Sequence, residues 1–292
     1  MNLEELILIV LKISIALSVL AVGLEANISD ASFVFRHPSE LIRAFFSMNV
    51  LMPLLAIVLV LTFNLDPAVK IALVVFSVSP VAAFFPERAL KAGGKADYSV
   101  GLMVTTALLA IVVIPIALEI FKAIFRLPLH TPAGSIATLV FVTVLLPLLV
   151  GIAVRAKAPA FAKRTAKPLG KIALVLVILG VLPILFRSMP TILSLIGNGT
   201  LLSFAGFVIV GYIIGYLLEK PRPENRPILA LANVARHPAI AAVVAHANFP
   251  QLKSVLPSVF LYVVVNAVIT AVAAKLVRAR NTPTESGKRM AA

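Results

Sequence analysis

The chain has 292 residues, of which 61% are hydrophobic and only 13% charged, with a mean hydropathy of +1.07. A soluble domain runs at about 45–50% apolar and about 25% charged, so an ordinary soluble enzyme and a disordered protein are both excluded. The net charge of +14 would suggest nucleic acid in a soluble protein; here it fits basic cytoplasmic loops, with no nucleic-acid partner expected. The chain has no Cys, hence no disulfide and no thiolate metal site.

About 178 residues are apolar, close to the ~180 that nine membrane helices of ~20 residues require. The apolar runs predict nine spans: about Leu6 to Val22, Ile42 to Phe63, Ala68 to Phe85, Tyr98 to Ile124, Ala133 to Val154, Ile172 to Leu185, Ile192 to Leu218, Ile228 to Ala247 and Val255 to Leu276. The acidic start, Met1 to Glu5, lacks the basic n-region of a signal peptide, so the first span is read as a retained helix. The chain then forms one polytopic domain, residues 1–292, with a polar cytoplasmic tail over 278–292.

The basic residues set an orientation. With the N-terminus outside, 19 Lys/Arg fall on inside segments and 5 on outside ones (Lys70, Lys122, Arg126, Arg187 and Lys253). Lys12 and Arg236 lie within spans. Cytoplasmic loops carry the Lys/Arg excess, so the reading is an N-out, C-in multi-pass protein of the cell (inner) membrane.

Charges at bilayer depth are costly and mark functional sites. Two places combine a cation with a proline. The third span runs into Phe84-Phe85-Pro86-Glu87-Arg88, where Pro86 suits the first turn of a restarting helix; a plain loop is the alternative. The eighth span is interrupted by Arg236-His237-Pro238. Its halves are each too short to cross, which predicts a helix broken at mid-depth, and such a break is tolerated only inside protein or beside a cavity. Paired broken helices point to a transporter binding site. Weaker candidates are Glu119, Lys12, Thr105 with Thr106, and His246. No phosphate loop, nucleophile elbow or HExxH occurs, so no enzymatic chemistry and no cofactor are expected.

Around these breaks the chain resembles the bile acid:sodium symporter family over nearly its whole length. The resemblance rests on Val22-Gly23-Leu24-Glu25 followed by Phe35-Arg36-His37-Pro38, and on Met52-Pro53-Leu54-Leu55-Ala56. It continues through Ser79-Pro80, Lys91 to Asp97 and Thr105-Thr106, and through Val234 to Ala242 ending in Asn248-Phe249. It implies an all-α membrane fold of two inverted repeats (about 1–125 and 133–277) divided into panel and core domains. Two discontinuous helices, the third and eighth spans, cross in the core. The chain would be a nine-span variant starting at the family's second helix.

The resemblance also implies sodium ligands, and here the chain departs from it. The family's Ser-Asn pair falls at Glu87-Arg88, its Glu at Ala232, its Gln at Arg236 and the neighbouring Asn at His237. A Ser falls at Gly101, near Ser99, and a second-helix Gln at Met48 beside Asn49; Thr105 keeps the family's Thr. The candidate binding set is Glu87, Arg88, Thr105, Arg236, His237, Asn49 and Asn233, with Pro86 and Pro238 as helix breaks. Arginine stays charged, so Arg88 and Arg236 are expected to replace sodium charges, with Glu87 pairing one of them across the crossing. His237 is a candidate for proton coupling or a structural residue. The leading reading is secondary transport of a small organic anion (bile-acid-like, keto-acid or similar carboxylate or sulfonate) by alternating access, independent of Na+. A passive uniporter or channel, an arsenite- or auxin-carrier-like protein and a degenerate membrane sensor are the alternatives. Sequence sets no oligomeric state.

Overall fold

The computed structural model describes residues 3–27, 29, 32–82, 84–91, 93–125, 132–219 and 221–281. Arg126, Lys220 and the tail after Asn281 lie outside them. In chain order the helices are α1 (Leu3–Glu25), α2 (Phe33–Arg36), α3 (Pro38–Phe46), α4 (Met52–Thr62), α5 (Pro67–Val78), α6 (Phe85–Lys91) and α7 (Ala96–Phe125). There follow α8 (Ala133–Val140), α9 (Leu146–Lys157), α10 (Pro159–Arg187), α11 (Met189–Leu195), α12 (Thr200–Leu218), α13 (Arg226–Val234), α14 (Pro238–Asn248) and α15 (Val255–Asn281). Wide π-turns, Ser47–Leu51 and Phe141–Leu145, join α3 to α4 and α8 to α9. Among the described residues there is no strand, only one isolated antiparallel bridge, Val81 to Arg236.

Among the described residues, seven helical stretches are long and apolar enough to cross a membrane: Glu5–Glu25, Pro38–Thr62, Ala96–Phe125, Gly134–Lys157, Pro159–Pro183, Thr200–Leu218 and Val255–Ala273. Two further apolar helices, α5 and α14, are too short to cross alone at 12 and 11 residues. The protein is an all-helical, multi-pass membrane protein. These nine segments overlie the nine apolar runs of the sequence, with three differences. The third run is helical only to Val78, because Ser79 precedes Pro80 and is driven into an extended conformation (ψ 142°). Helix resumes at Phe85, so Pro86 does sit in a first turn, but the break begins seven residues before it. The seventh run divides at Gly197-Asn198-Gly199, where Asn198 (φ 44°) and Gly199 (φ 82°) are left-handed. The sixth begins at Pro159, so the basic stretch before Ile172 is helix rather than loop.

Membrane helices gain little hydrophobic drive from one another, so close contact of small residues holds them. The crossing of α1 and α9 shows this. A Cβ on Gly23 would stand 2.5 Å from the Leu148 carbonyl oxygen, and one on Gly151 2.6 Å from that of Leu20. Glycine is required on both helices. α1 also runs along α10 and touches α14, which makes it the partner of the eighth run's second half.

Ion pairs gather several helix ends at one end of the molecule. Arg43 donates to Glu219 at 2.9 Å, Tyr98 donates to the same carboxylate at 3.3 Å, Arg222 pairs with Glu40, and Lys95 meets Glu224 at 3.2 Å. Glu40 and Glu219 are fully buried. The segments around 36–43, 95–98 and 219–224, all placed on one side by the charge tally, therefore share one end. The prediction from the helix crossing is that Gly151→Val separates α1 from α9. We expect a loss of about 1–3 kcal/mol, read as earlier thermal unfolding in detergent; an unchanged midpoint would show the crossing is not tight.

Candidate functional site

The two helix breaks meet. The Ala82 N–H donates to the Ala235 carbonyl at 2.8 Å, and the His237 N–H donates to that of Pro80 at 2.9 Å. This short antiparallel pairing satisfies backbone groups that the helices have released. A helix end inside an apolar environment leaves carbonyls without donors, and each unpaired buried group costs about 1–3 kcal/mol.

Arg236 completes the pairing. Its side chain is buried, 4% exposed. Nε donates to the Asn233 carbonyl at 2.8 Å, Nη1 to that of Ser79 at 2.8 Å and Nη2 to that of Met48 at 3.0 Å. Each acceptor has been released for a physical reason. Asn233 lies in the last turn of α13, and the His237 N–H that would cap it is committed to Pro80. Ser79 is followed by Pro80 and has left the helix. Met48 sits in the π-turn, where Met52 donates to Ser47 instead. The next N–H along would belong to Pro53, which has none. One planar guanidinium thus spans three elements, and among the described residues no carboxylate pairs with it. The Tyr262 hydroxyl lies within its electrostatic reach.

The surrounding polar groups reinforce this arrangement. Asn266 donates to the Val234 carbonyl at 3.0 Å. Asn233 is wholly buried and donates to Ser47 Oγ (2.9 Å) and the Gly211 carbonyl (2.8 Å), tying α13 to the π-turn and to α12. On α7, Thr106 Oγ1 accepts from the Val81 N–H at 3.4 Å. Thr105 is 2% exposed, and its hydroxyl has no hydrogen-bond partner; nor has His237 Nδ1 on a ring 6% exposed. His237 borders a small pocket between Val22 of α1 and Leu148 of α9 on one side and Val81, Met103 and Ile240 on the other. About 10 Å³ is open to the centre of a water-sized sphere, roughly the room of one water.

The sequence-predicted residues therefore divide. Arg236, His237 and Asn233 lie at the meeting of the breaks, Asn49 is half-buried on the π-turn, and Thr105 is buried on α7. Glu87 and Arg88 are elsewhere, on the exposed face of α6. Glu87 accepts from Lys91 at 2.7 Å, with both side chains largely in the open, and Arg88 stacks over Phe84 at 4.8 Å. The expected pairing of Glu87 with a buried cation does not form. Tyr262 and Asn266 escaped the sequence reading. Their signal was available: two polar groups four residues apart in an otherwise apolar span share one helix face.

The arrangement predicts a specific coupling. Arg236→Ala leaves three carbonyls without their donor, and Pro53→Ala gives the Met48 carbonyl an amide to bond. In a double-mutant cycle of thermal unfolding, the pair is expected to cost less than the sum of the singles by about 0.5–3 kcal/mol. Strict additivity would show that the two do not share that carbonyl.

Comparison with known proteins places the chain in a family. The model of the sodium bile acid symporter family matches residues 12–195, more than half of the chain. A Bacillus subtilis (strain 168) protein described as "uncharacterized sodium-dependent transporter YocS" is 24% identical over 244 residues, covering 82% of this chain and 74% of its own. The rat and human proteins named sodium/bile acid cotransporter 4 are each 27% identical over 210 residues. That covers 70% of this chain, which spans about half of their length (47%). The chain belongs to the sodium bile acid symporter family and is a secondary transporter, not an enzyme.

Proposed function

We propose that the protein carries a small organic anion, a carboxylate or sulfonate of bile-acid or keto-acid type, by alternating access and without Na+. On this reading α5 with α6, and α13 with α14, are the two discontinuous helices of an inverted-repeat fold with panel and core domains. The chain sits N-out and C-in in the cell inner membrane, and the repeats cover about 1–125 and 133–277. Arg236, His237, Asn233, Asn49 and Thr105 form the binding region. Arg88 and Glu87 contribute no charge to it, which reduces the two replacement cations expected from sequence to one.

The observation that carries the proposal is the buried guanidinium of Arg236 on three backbone carbonyls, with no carboxylate partner among the described residues. Neutral oxygens around a cation are what a sodium site needs, and here a side chain already fills that role. A second cation 4 Å away would be repelled by about 4 kcal/mol at an effective dielectric of 20. Three of the five guanidinium N–H groups are committed to carbonyls, which leaves two donors. An anion approaching the crossing can use those donors and neutralise the charge.

The test is uptake into proteoliposomes of three probes in turn: a bile acid, a 2-keto acid and an alkyl sulfonate. Counterflow is measured with Na+ replaced by choline. Saturable exchange of at least one probe is expected to persist in choline and to fall more than about tenfold in Arg236→Ala. A steep Na+ requirement sinks the Na+-independent reading; saturable exchange that Arg236→Ala leaves unchanged moves the anion away from the crossing.

A further inference from the structure

Between Glu119 and Glu219 the chain holds no Asp or Glu but nine Lys or Arg, six of them within residues 155–171. The structure arranges most of these on one surface. In α10, Lys163, Arg164, Lys167 and Lys171 fall within an arc of about 100° at ~3.6 residues per turn, and all four are exposed. The opposite arc, Ala162, Ala166 and Ala173, is buried, the first two packing with Leu24 of α1. Lys157 ends α9, with Ala158 alone between it and α10, and is exposed.

Arg43, Lys91, Lys95, Lys122 and Arg222 each pair with a carboxylate. Among the described residues, Lys157, Lys163, Arg164, Lys167 and Lys171 have no ion pair. Glu87 on α6 lies within electrostatic reach of Lys167, and it is already bound to Lys91 at 2.7 Å.

The length of α10 and the cost of charges at bilayer depth put this corner at the headgroups. Only 17% of the membrane stretch of α10 is buried, the least of the seven spans, so this helix faces lipid along its length. At 29 residues it is about 43 Å long, against a hydrocarbon core of about 30 Å. The first two or three turns therefore emerge into the headgroup layer, with Phe161 exposed beside the cations. An orientation signal needs only a number of cations in a loop. It does not require them aligned on the lipid-facing side of a span.

We propose that the basic face of α10 from Lys163 to Lys171, with Lys157, binds the phosphodiester headgroups of anionic phospholipids. Each cation near an anionic surface adds attraction, and basic clusters at helix ends are suited to such headgroups. The binding is independent of the transported substrate.

The test uses the full chain in nanodiscs of phosphatidylcholine alone or with a third phosphatidylglycerol. After exchange into detergent, co-purifying phosphatidylglycerol is measured by mass spectrometry. The wild type is expected to retain it and to unfold several degrees higher in the anionic discs. The variant K163Q/R164Q/K167Q/K171Q is expected to retain it more than about tenfold less. Should that variant fail to fold, the wild type alone decides, because retention through this face must fall steeply with added salt. Equal retention by variant and wild type, or retention unchanged by salt, overturns the proposal. So does inorganic phosphate giving the same stabilisation as phosphatidylglycerol, because the face would then take a soluble anion rather than a lipid.

Discussion

The constraint on which the rest of the structure depends is that two helices stop inside an apolar interior. A helix that ends in water gives its last carbonyls to solvent; one that ends among side chains must find donors. At the second break the donors come from three sources. The Asn233 carbonyl goes to Arg236, the Val234 carbonyl to Asn266 and the Ala235 carbonyl to the amide of Ala82. At the first break, Ser79 is served by Arg236 and Pro80 by the amide of His237. Neither break is satisfied by its own neighbours alone. Each depends on the other, and that dependence fixes how α5, α13 and α14 sit against the π-turn of Ser47–Leu51.

The π-turn belongs to the same solution. A proline one residue inside α4 withholds an amide, which widens the preceding turn and exposes the Met48 carbonyl toward Arg236. Asn233 holds the turn from the other side through Ser47. Four segments far apart in sequence thus converge on a site where, among the described residues, the guanidinium is the one formal charge. Among the described residues the buried acidic groups are Glu40 and Glu219, at the molecule's end against Arg222, Arg43 and Tyr98. Buried ion pairs of this kind add little net stability but are costly to break on one side, so they act as a lock on the helix ends.

Much of this was legible in the residues, unevenly. Arg236-His237-Pro238 stood out because a charge and a proline within an apolar run have no ordinary explanation, and helix does stop and restart there. The first break was misplaced by the same logic. Glu87 and Arg88 drew attention because they are charged, yet they lie on the open face of α6, while the break falls at Ser79-Pro80, which carries no charge. Its signature was a residue forced extended by the proline after it, weak beside a run of valines and phenylalanines. The partners of Arg236 were not legible at all. Two of the three are backbone carbonyls 157 and 188 positions away, and a carbonyl becomes an acceptor only when the fold releases it. The turn at Gly197-Asn198-Gly199 was readable from its composition alone and was hidden by the apolar length on either side.

A guanidinium in this place has a consequence that a bound ion does not. An ion that dissociates on each cycle links substrate movement to its own gradient; a tethered cation stays with the protein and links to nothing. On the proposed reading the site keeps the electrostatic part of ion binding, a positive charge ready for an anion, and gives up the energetic coupling. Its transport then follows the substrate's own gradient and the membrane potential, and exchange of one anion for another becomes the favoured mode, because returning empty leaves a buried positive charge without its counterion. The same argument sets which substrates fit. An anion must offer oxygens to two remaining N–H donors among buried apolar side chains, so a compact carboxylate or sulfonate on an apolar body meets the site better than a polyvalent, heavily hydrated anion.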